Sequence, residues 1–136
     1  MGNIGQKVAR LAQAFGMEII YWDIHPKEVS YPFVTLEEVL SLAHILSLHL
    51  PLVKETHRLI NAEAISQMNP HTILINSARG AIIDEHALTE ALQQKRIAGF
   101  GADVLEVEPP SQDHPLLGLD NALITPHSAS LTAKTY

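Results

Sequence analysis

Three short segments carry side chains capable of acid–base chemistry, and each comes just after a run that reads as a buried β-strand. They are Asn76-Ser77-Ala78-Arg79-Gly80, Val107-Glu108-Pro109 and Thr125-Pro126-His127. Open α/β sheets bind their ligands at the carboxyl ends of the strands. An arginine can grip a carboxylate through two hydrogen bonds, a histidine can transfer a proton near neutral pH, and a glutamate can orient that histidine. Together the segments predict a catalytic site.

The composition predicts one domain without nucleic-acid or membrane partners. The chain has 136 residues, 46% of them hydrophobic, which is enough to bury a single core. Fifteen acidic residues outnumber nine basic ones, and no Lys/Arg cluster could neutralise a row of phosphates. The apolar stretches fall far short of the roughly 20 residues of a spanning helix. Stretches this short predict a soluble protein. Because the chain has no cysteine, we exclude disulfides and expect the protein to be cytoplasmic.

Helical and extended patterns alternate along the chain. A capping box of Thr35 and Glu38, cap residues Asn61 and Asp84, and a terminating Gly16 mark the ends of several helices. The predicted helices cover residues 6–15, 36–42, 61–68 and 84–93, with another beginning at Leu131, and the predicted strands cover 17–22, 44–50, 72–76, 97–104 and 122–125. This alternation predicts an α/β fold with a parallel, doubly wound sheet between helices, in three layers.

The amino terminus resembles the latter part of a dinucleotide-binding fingerprint. Gly2-Asn3-Ile4-Gly5 opens the first helix, and Asp23 ends the next predicted strand, eighteen residues after Gly5. In the full motif the glycines allow close backbone approach, and the acid binds the ribose 2′-hydroxyl. Since a carboxylate would repel a 2′-phosphate, Asp23 favours NAD over NADP. Two glycines alone are equally compatible with an ordinary helix start, and Asp23 with a surface turn.

Taken in order, these segments resemble the cofactor domain of the D-isomer-specific 2-hydroxyacid dehydrogenase family over the whole chain. The subgroup they most resemble contains glycerate dehydrogenase, hydroxypyruvate reductase and phosphoglycerate dehydrogenase-like members. The segments that carry the resemblance are Gly2-Asn3-Ile4-Gly5, Ser47-Leu48-His49-Leu50-Pro51, Asn76-Ser77-Ala78-Arg79-Gly80, Asp103-Val104-Leu105-Glu106-Val107-Glu108-Pro109 and Asp113-His114-Pro115-Leu116-Leu117. We therefore expect a Rossmann-type NAD-binding domain over residues 1–136.

The resemblance assigns catalytic roles to three residues. Arg79 would bind the substrate carboxylate through its planar donor fork. His127 would exchange a proton with the substrate oxygen, and Glu108 would fix its tautomer and favour its charged form. Taken alone, Arg79 is more typical of a solvated loop, and His127 is more typical of a turn. Glu106 lies in the same loop as Glu108, and only the family pattern, with glutamate directly before proline, selects Glu108.

The resemblance also implies a set of NAD contacts. Backbone amides at the start of the first helix would bind the pyrophosphate, since a helix amino terminus favours anions. The implied residues are Gly2, Asn3, Ile4 and Gly5 for the pyrophosphate, Asp23 for the ribose, His49, Leu50 and Pro51 along the adenine edge, Thr56 for a phosphate or ribose, Asp103 for the nicotinamide carboxamide, and Ala78, Arg79, His127 and Ala129 nearby. Leu50 and Pro51 could instead simply end a strand, and Thr56 could be an ordinary loop hydroxyl.

Asp103 has an argument of its own. Burying a carboxylate after the apolar run 97–102 costs free energy unless a polar group pairs with it. A polar ligand could be that partner of Asp103.

The histidines do not predict a metal site. His44 and His49 are five residues apart on a predicted strand, which directs them to opposite faces, and no Cys/His cluster accompanies them. Relatives commonly have aspartate where this chain has His44, and the consequence is open.

The family's second domain, which closes the substrate cleft, has no counterpart in the 136 residues, and neither does the first Rossmann strand. Because that strand is central in the order 3-2-1-4-5-6, its loss would expose two inner strand edges, and we expect the isolated chain to be unstable. We expect the complete protein to be a homodimer that interconverts a small 2-oxo and D-2-hydroxy carboxylate. The alternatives are an NAD(H)-sensing module like certain corepressors, and an inactive truncated fragment.

Overall fold

A parallel four-stranded sheet flanked by helices forms the computed structural model, which describes residues 1–134. The strands lie in the order β1-β2-β3-β4, and all neighbouring pairs are parallel. This confirms the predicted α/β, Rossmann-type fold. Its helices are α1 (Asn3–Ala14), α2 (Leu36–Leu42), α3 (Ala62–Ser66) and α4 (Glu85–Gln93), its strands are β1 (Ile45–Leu48), β2 (Ile73–Asn76), β3 (Gly99–Ala102) and β4 (Ala122–Ile124), and two short 3₁₀ helices cover Gly80–Ile82 and Pro115–Gly118.

The starts of α2, α3 and α4 and the end of α1 lie where local sequence signals predict them, whereas α1 begins earlier than residue 6 and α3 ends before residue 68. At α2, the Thr35 hydroxyl accepts a hydrogen bond from the Glu38 amide (3.1 Å), and the Glu38 carboxylate accepts one from the Thr35 amide (2.8 Å). Asn61 and Asp84 each accept a hydrogen bond from the backbone three residues on, at the starts of α3 and α4. Gly16 follows α1 with φ of +88°, a conformation that glycine adopts without steric cost.

One face of the sheet forms the core. Leu46, Leu74 and Phe100 point to this face and are buried, together with apolar residues of α2, α3 and α4. Ile45 and Ile73, which pair with each other in register and point to the opposite face, are 48% and 40% exposed. The burial that fixes the strands therefore comes mainly from one side.

The predicted strand over residues 17–22 is wrong. The structure has only an isolated bridge there, between Tyr21 and Phe33. A strand requires a neighbour for its backbone hydrogen bonds. Among residues 1–134, no strand lies between this segment and β1, which is an edge of the described sheet.

The helix predicted to begin at Leu131 is also wrong within the described residues. Residues 131–134 contain no helical residue, and the Leu131 amide donates to the Ser128 carbonyl three residues back rather than four. The continuation of the predicted helix lies outside the described residues. No helix within residues 1–134 has the length and apolar character needed to cross a bilayer.

Gly80 brings two functional loops into backbone contact. The loop after β2 packs against the backbone of Leu105 and Glu106, and a Cβ at Gly80 would overlap those atoms. Only glycine allows this approach, because the obstructing atoms are main-chain atoms that cannot rotate away. The loop carrying Arg79 and the loop carrying Glu108 are thereby fixed to each other.

We predict that Gly80→Ala lowers the free energy of unfolding by about 1–3 kcal/mol or more, because the added methyl overpacks this contact. Gly118→Ala is the matched control, since nothing lies within 4 Å of a Cβ there and neither glycine has a left-handed φ. Its effect should stay within about 0.5 kcal/mol. Urea unfolding followed by circular dichroism measures both, and equal effects would contradict the close approach.

Candidate active site

The carboxyl ends of β2, β3 and β4 meet at one edge of the sheet. The Asp103 amide donates to the Asn76 carbonyl (3.1 Å), and the Thr125 amide donates to the Ala102 carbonyl (2.9 Å). The three loops that follow therefore start side by side, as the sequence predicted for parallel strands. Arg79, Glu108 and His127 lie on these loops.

Asn76 shapes the loop that carries Arg79. Its side chain is 1% exposed, and its amide group donates to the Arg79 carbonyl (3.0 Å) while its oxygen accepts from the Ala78 amide (3.0 Å). A buried amide that satisfies both backbone groups fixes the turn. The Arg79 guanidinium is exposed and donates to the Ala78 carbonyl (2.7 Å) through one of its nitrogens. Its remaining donors leave a fork available for a carboxylate.

His127 and Glu108 form a hydrogen-bonded pair. His127 Nδ1 lies 2.7 Å from Glu108 Oε2, and Glu108 Oε1 accepts from the Leu105 amide (2.9 Å). An ionised carboxylate can only accept, so the proton lies on Nδ1. Nε2 is then the nitrogen free for proton exchange with a ligand. Glu106 forms an ion pair with Arg58 at 3.5 Å instead.

Asp103 holds the backbone around His127. Its Oδ1 accepts from the Thr125 hydroxyl (2.5 Å) and the Ser128 amide (2.9 Å), and its Oδ2 accepts from the Ala129 amide (2.8 Å). His127 itself has φ of +54°, in the left-handed region that side chains other than glycine rarely adopt. Such conformations persist when the surroundings hold them and are frequent at active sites.

Both carboxylates of this cluster are stabilised in the charged form. The hydrogen bond from His127, and then that from the Leu105 amide, lower the pKa of Glu108 below its usual value. Partial burial acts to raise the pKa of Asp103, but the hydrogen bonds from Thr125, Ser128 and Ala129 together outweigh it and lower that pKa. The site therefore keeps two negative charges beside His127 at neutral pH.

A groove of about 390 Å³ runs from the start of α1 to Arg79. Six residues predicted to bind NAD line it, and they are Ile4, His49, Leu50, Pro51, Ala78 and Arg79. Burial lowers the pKa of His49, whose Nε2 lies 2.8 Å from the Ser47 hydroxyl. The His49 imidazole is thus a neutral wall of the groove at pH 7 rather than a cation.

The start of α1 has the features of a pyrophosphate site. The first hydrogen bond of the helix runs from the Gln6 amide to the Gly2 carbonyl, no side chain caps the helix, and its first turn has no acidic residue. The amides of the first turn thus precede the helix ladder and can donate to an anion. Gly5 is buried, and a Cβ there would lie 3.6 Å from the Cβ of His49. This is the close packing expected of the last fingerprint glycine.

Asp23 lies beside this helix start. Its carboxylate forms an ion pair with the amino group of Met1 and accepts a hydrogen bond from the Ile24 amide (2.7 Å). The free helix amides, the groove and an acid at the helix start fit a dinucleotide.

Two residues have different surroundings from those predicted. Thr56 is fully buried, donates to the Pro51 carbonyl (2.6 Å) and accepts from the Val53 amide (2.9 Å). Its hydroxyl therefore ties the loop after β1 and cannot reach a phosphate or ribose in this structure. The argument that Asp103 needs a ligand for charge compensation is also wrong, because the chain itself supplies the donors.

The sequence interpretation missed Leu52 and Ser77 as groove residues and Asn76 and Asp103 as residues that shape the loops. An asparagine at the end of a strand, three residues before Arg79, was the available signal for Asn76. No comparable signal existed for Asp103, whose donors lie 22–26 residues away.

Other parts of the described chain do not add to this site. Residues 1–134 contain no group of three or more His, Cys, Asp or Glu side chains placed to hold a metal ion. A larger groove, of about 530 Å³, runs along α1 but includes none of the residues that follow the strands. It is lined by Asn3, Gln6, Lys7, Arg10, Glu28, Val29, Ser30 and Tyr31.

Known proteins are similar to this chain in sequence and in fold. Residues 1–129 match the D-isomer specific 2-hydroxyacid dehydrogenase, NAD binding domain, profile. The chain is 43% identical to the glyoxylate reductase of Korarchaeum cryptofilum over 140 residues, which covers 99% of the chain and 42% of that protein. It is 43% identical to the hydroxypyruvate reductase of Thermotoga maritima over 137 residues, with 98% and 45% covered.

A solved structure supports the same assignment. The crystal structure of a protein from Thermus thermophilus superposes with a TM-score of 0.95 at 50% identity, over 99% of this chain and 43% of that one. The chain thus spans less than half the length of the relatives it matches. The agreement of profile, relatives and fold shows that the chain belongs to the NAD-binding domain family of the D-isomer specific 2-hydroxyacid dehydrogenases.

Proposed function

We propose that this chain is the cofactor-binding part of a dehydrogenase that interconverts a 2-oxo acid and a D-2-hydroxy acid. The observation that carries the proposal is the 2.7 Å pair of His127 Nδ1 and Glu108 Oε2 beside the strand ends, with Arg79 on the neighbouring loop. The names of the two relatives, glyoxylate reductase and hydroxypyruvate reductase, support a small oxo acid as substrate. An intact acid–base pair favours catalysis over a purely sensing role. The homodimer stays a prediction.

NAD would lie along the groove of His49, Leu50, Pro51 and Ala78, with its pyrophosphate at the start of α1 and its ribose at Asp23. The bound nicotinamide supplies the hydride. A carboxylate at Asp23 favours NAD over NADP, because a 2′-phosphate would be repelled.

The chain's own residues would provide the remaining chemistry. Arg79 would hold the substrate carboxylate through two parallel hydrogen bonds and draw charge from the adjacent carbonyl. His127 would donate the Nε2 proton to the oxygen that becomes the hydroxyl, and would accept it in the reverse direction. Glu108 stabilises the positive charge on the imidazole before donation and keeps the ring in one orientation. Asp103 would hold the loop that carries His127. Its Oδ2 accepts only the hydrogen bond from the Ala129 amide and could accept another from the nicotinamide carboxamide.

We expect His127→Asn to reduce turnover about 10²–10⁴-fold, the usual contribution of a general acid. Asparagine tolerates the left-handed backbone at this position, so folding should survive. The control is His71→Asn, an exposed histidine in the turn before β2, at the opposite edge of the sheet. The assay follows the absorbance of NADH at 340 nm during the reduction of glyoxylate and of hydroxypyruvate. It uses the longest polypeptide encoded in frame with this chain, called the in-frame polypeptide below. NADH affinity should change less than about twofold, and undiminished turnover would refute the proton-transfer role.

Arg79→Lys keeps the charge but removes the planar fork, so we expect KM for the oxo acid to rise about tenfold or more. The dissociation constant of NADH should stay nearly constant. Arg96→Lys, at an exposed arginine after α4, is the control. If Arg79→Lys used free carboxylate and esterified substrates in the wild-type ratio, Arg79 would not be the carboxylate anchor.

The lowered pKa values predict how stability depends on pH. A carboxylate with a folded-state pKa below its unfolded-state value contributes stability above the unfolded pKa and loses it as pH falls through the folded pKa. The stability gap between wild type and Asp103→Asn should therefore be full at pH 6–7 and shrink below about pH 4. Urea unfolding of the in-frame polypeptide at pH 7 and pH 3 measures this gap. A gap that widens in acid would contradict this assignment.

A further inference from the structure

A glutamate outside the proposed active site holds both ends of the loop that carries Glu108. Glu85, the first residue of α4, accepts a hydrogen bond from the Glu106 amide at Oε2 (2.7 Å). Its Oε1 lies 3.2 Å from Nε2 of His114. The two contacts are at opposite ends of residues 107–113, the segment that contains Glu108.

The His114 contact has a defined direction. His114 Nδ1 accepts from the Leu116 amide (3.1 Å), and a backbone amide can only donate. Nδ1 is therefore without a proton, and the proton on Nε2 points to Glu85. Leu116 is fully buried, so this chain of hydrogen bonds connects the loop to the core.

Both side chains of the Glu85–His114 contact are largely shielded from solvent. The side chains of Glu85 and His114 are 15% and 18% exposed. The second histidine–glutamate contact of α4, between His86 and Glu90, is a contrast, because its groups are 4.0 Å apart and 85% and 61% exposed. An exposed pair of this kind contributes little, whereas a sheltered charge-assisted hydrogen bond is strong.

We propose that Glu85 is a positioning residue for the Glu108–His127 pair, because its one carboxylate fixes both ends of the loop that presents Glu108. This inference rests on the proposed function. Leu105, whose amide holds Glu108 Oε1, is adjacent to Glu106, whose amide is held by Glu85. Releasing Glu85 frees the backbone directly beside the group that orients His127.

The test compares Glu85→Ala and Glu85→Gln with the matched control Glu90→Ala. In the in-frame polypeptide used for turnover, Glu85→Ala should lower kcat about tenfold with KM values within about twofold, since small misplacements of acid–base groups are costly. Glu85→Gln retains one acceptor oxygen, so its kcat should lie between that of wild type and that of Glu85→Ala. Glu90→Ala should match wild type.

Nuclear magnetic resonance of the same in-frame polypeptide provides a readout independent of turnover. Wild type and Glu90→Ala should show His114 with a bare Nδ1, a protected Glu106 amide and a His127 Nδ1 proton that exchanges slowly. Glu85→Ala should lose the protection of the Glu106 amide and the slow exchange of the His127 Nδ1 proton, whereas the Leu116 amide keeps His114 Nδ1 bare. If Glu85→Ala does not fold, the same comparison is made with Glu85→Gln, in which the Glu106 amide should lose part of its protection and the His127 Nδ1 proton should exchange faster.

The two proposals fail in different ways. A wild-type polypeptide without dehydrogenase turnover would overturn the proposed function, while the resonance comparison would still judge the loop contact. An active wild type whose kcat is unchanged by both Glu85 substitutions, or an unchanged His127 Nδ1 proton in them, would overturn the role of Glu85.

Discussion

The site depends on the parallel register of β2, β3 and β4. Because these strands run in the same direction and pair residue for residue, Asn76, Ala102 and Ile124 end at one edge. The backbone ladder continues one step into the loops, through the amides of Asp103 and Thr125. Residues 27 and 23 positions apart in the sequence, Asn76 with Asp103 and Ala102 with Thr125, are thus hydrogen-bonded where the loops begin. No side chain of the site could be placed without this alignment.

Polar side chains that do not touch a ligand then fix the loops. Asn76 shapes the turn of Arg79, Asp103 holds the backbone around His127, and Glu85 holds the loop of Glu108. Each is a hydrogen-bond acceptor for backbone amides that have no partner in a helix or strand. Satisfying those amides fixes loop geometry that apolar packing alone, which lies mainly on one face of the sheet, would leave open.

Local signals predicted the parts of the fold that local interactions determine. The capping box of Thr35 and Glu38, and the caps Asn61 and Asp84, form within three residues and could be read from the sequence. Residues 17–22 have the composition of a strand, but a strand also needs a neighbour, and that condition is not local. The same distinction separates Gly5, identified by a motif, from Gly80, whose need for glycine comes from a backbone 25 residues away.

The site residues divide in a similar way. Residue type and position after a strand made Arg79 and His127 candidates, but could not choose between Glu106 and Glu108, which lie two residues apart. The structure places Glu108 against His127 and Glu106 against Arg58. Thr56 and Asp103 have polar side chains that suggested ligand contacts, whereas their hydrogen bonds are made within the protein. A sequence shows that a polar group needs partners without showing where the partners come from.

The left-handed backbone of His127 has a consequence for how this position can vary. At φ of +54°, residues branched at Cβ are strongly disfavoured, and those that adopt the conformation most readily are glycine, asparagine, aspartate and, to a lesser degree, histidine. Among these, only histidine can donate and accept a proton near neutral pH. Selection for chemistry and selection for backbone shape thus converge on one amino acid. A lineage that lost the chemistry would be expected to drift toward asparagine or glycine here rather than toward a larger hydrophobic residue.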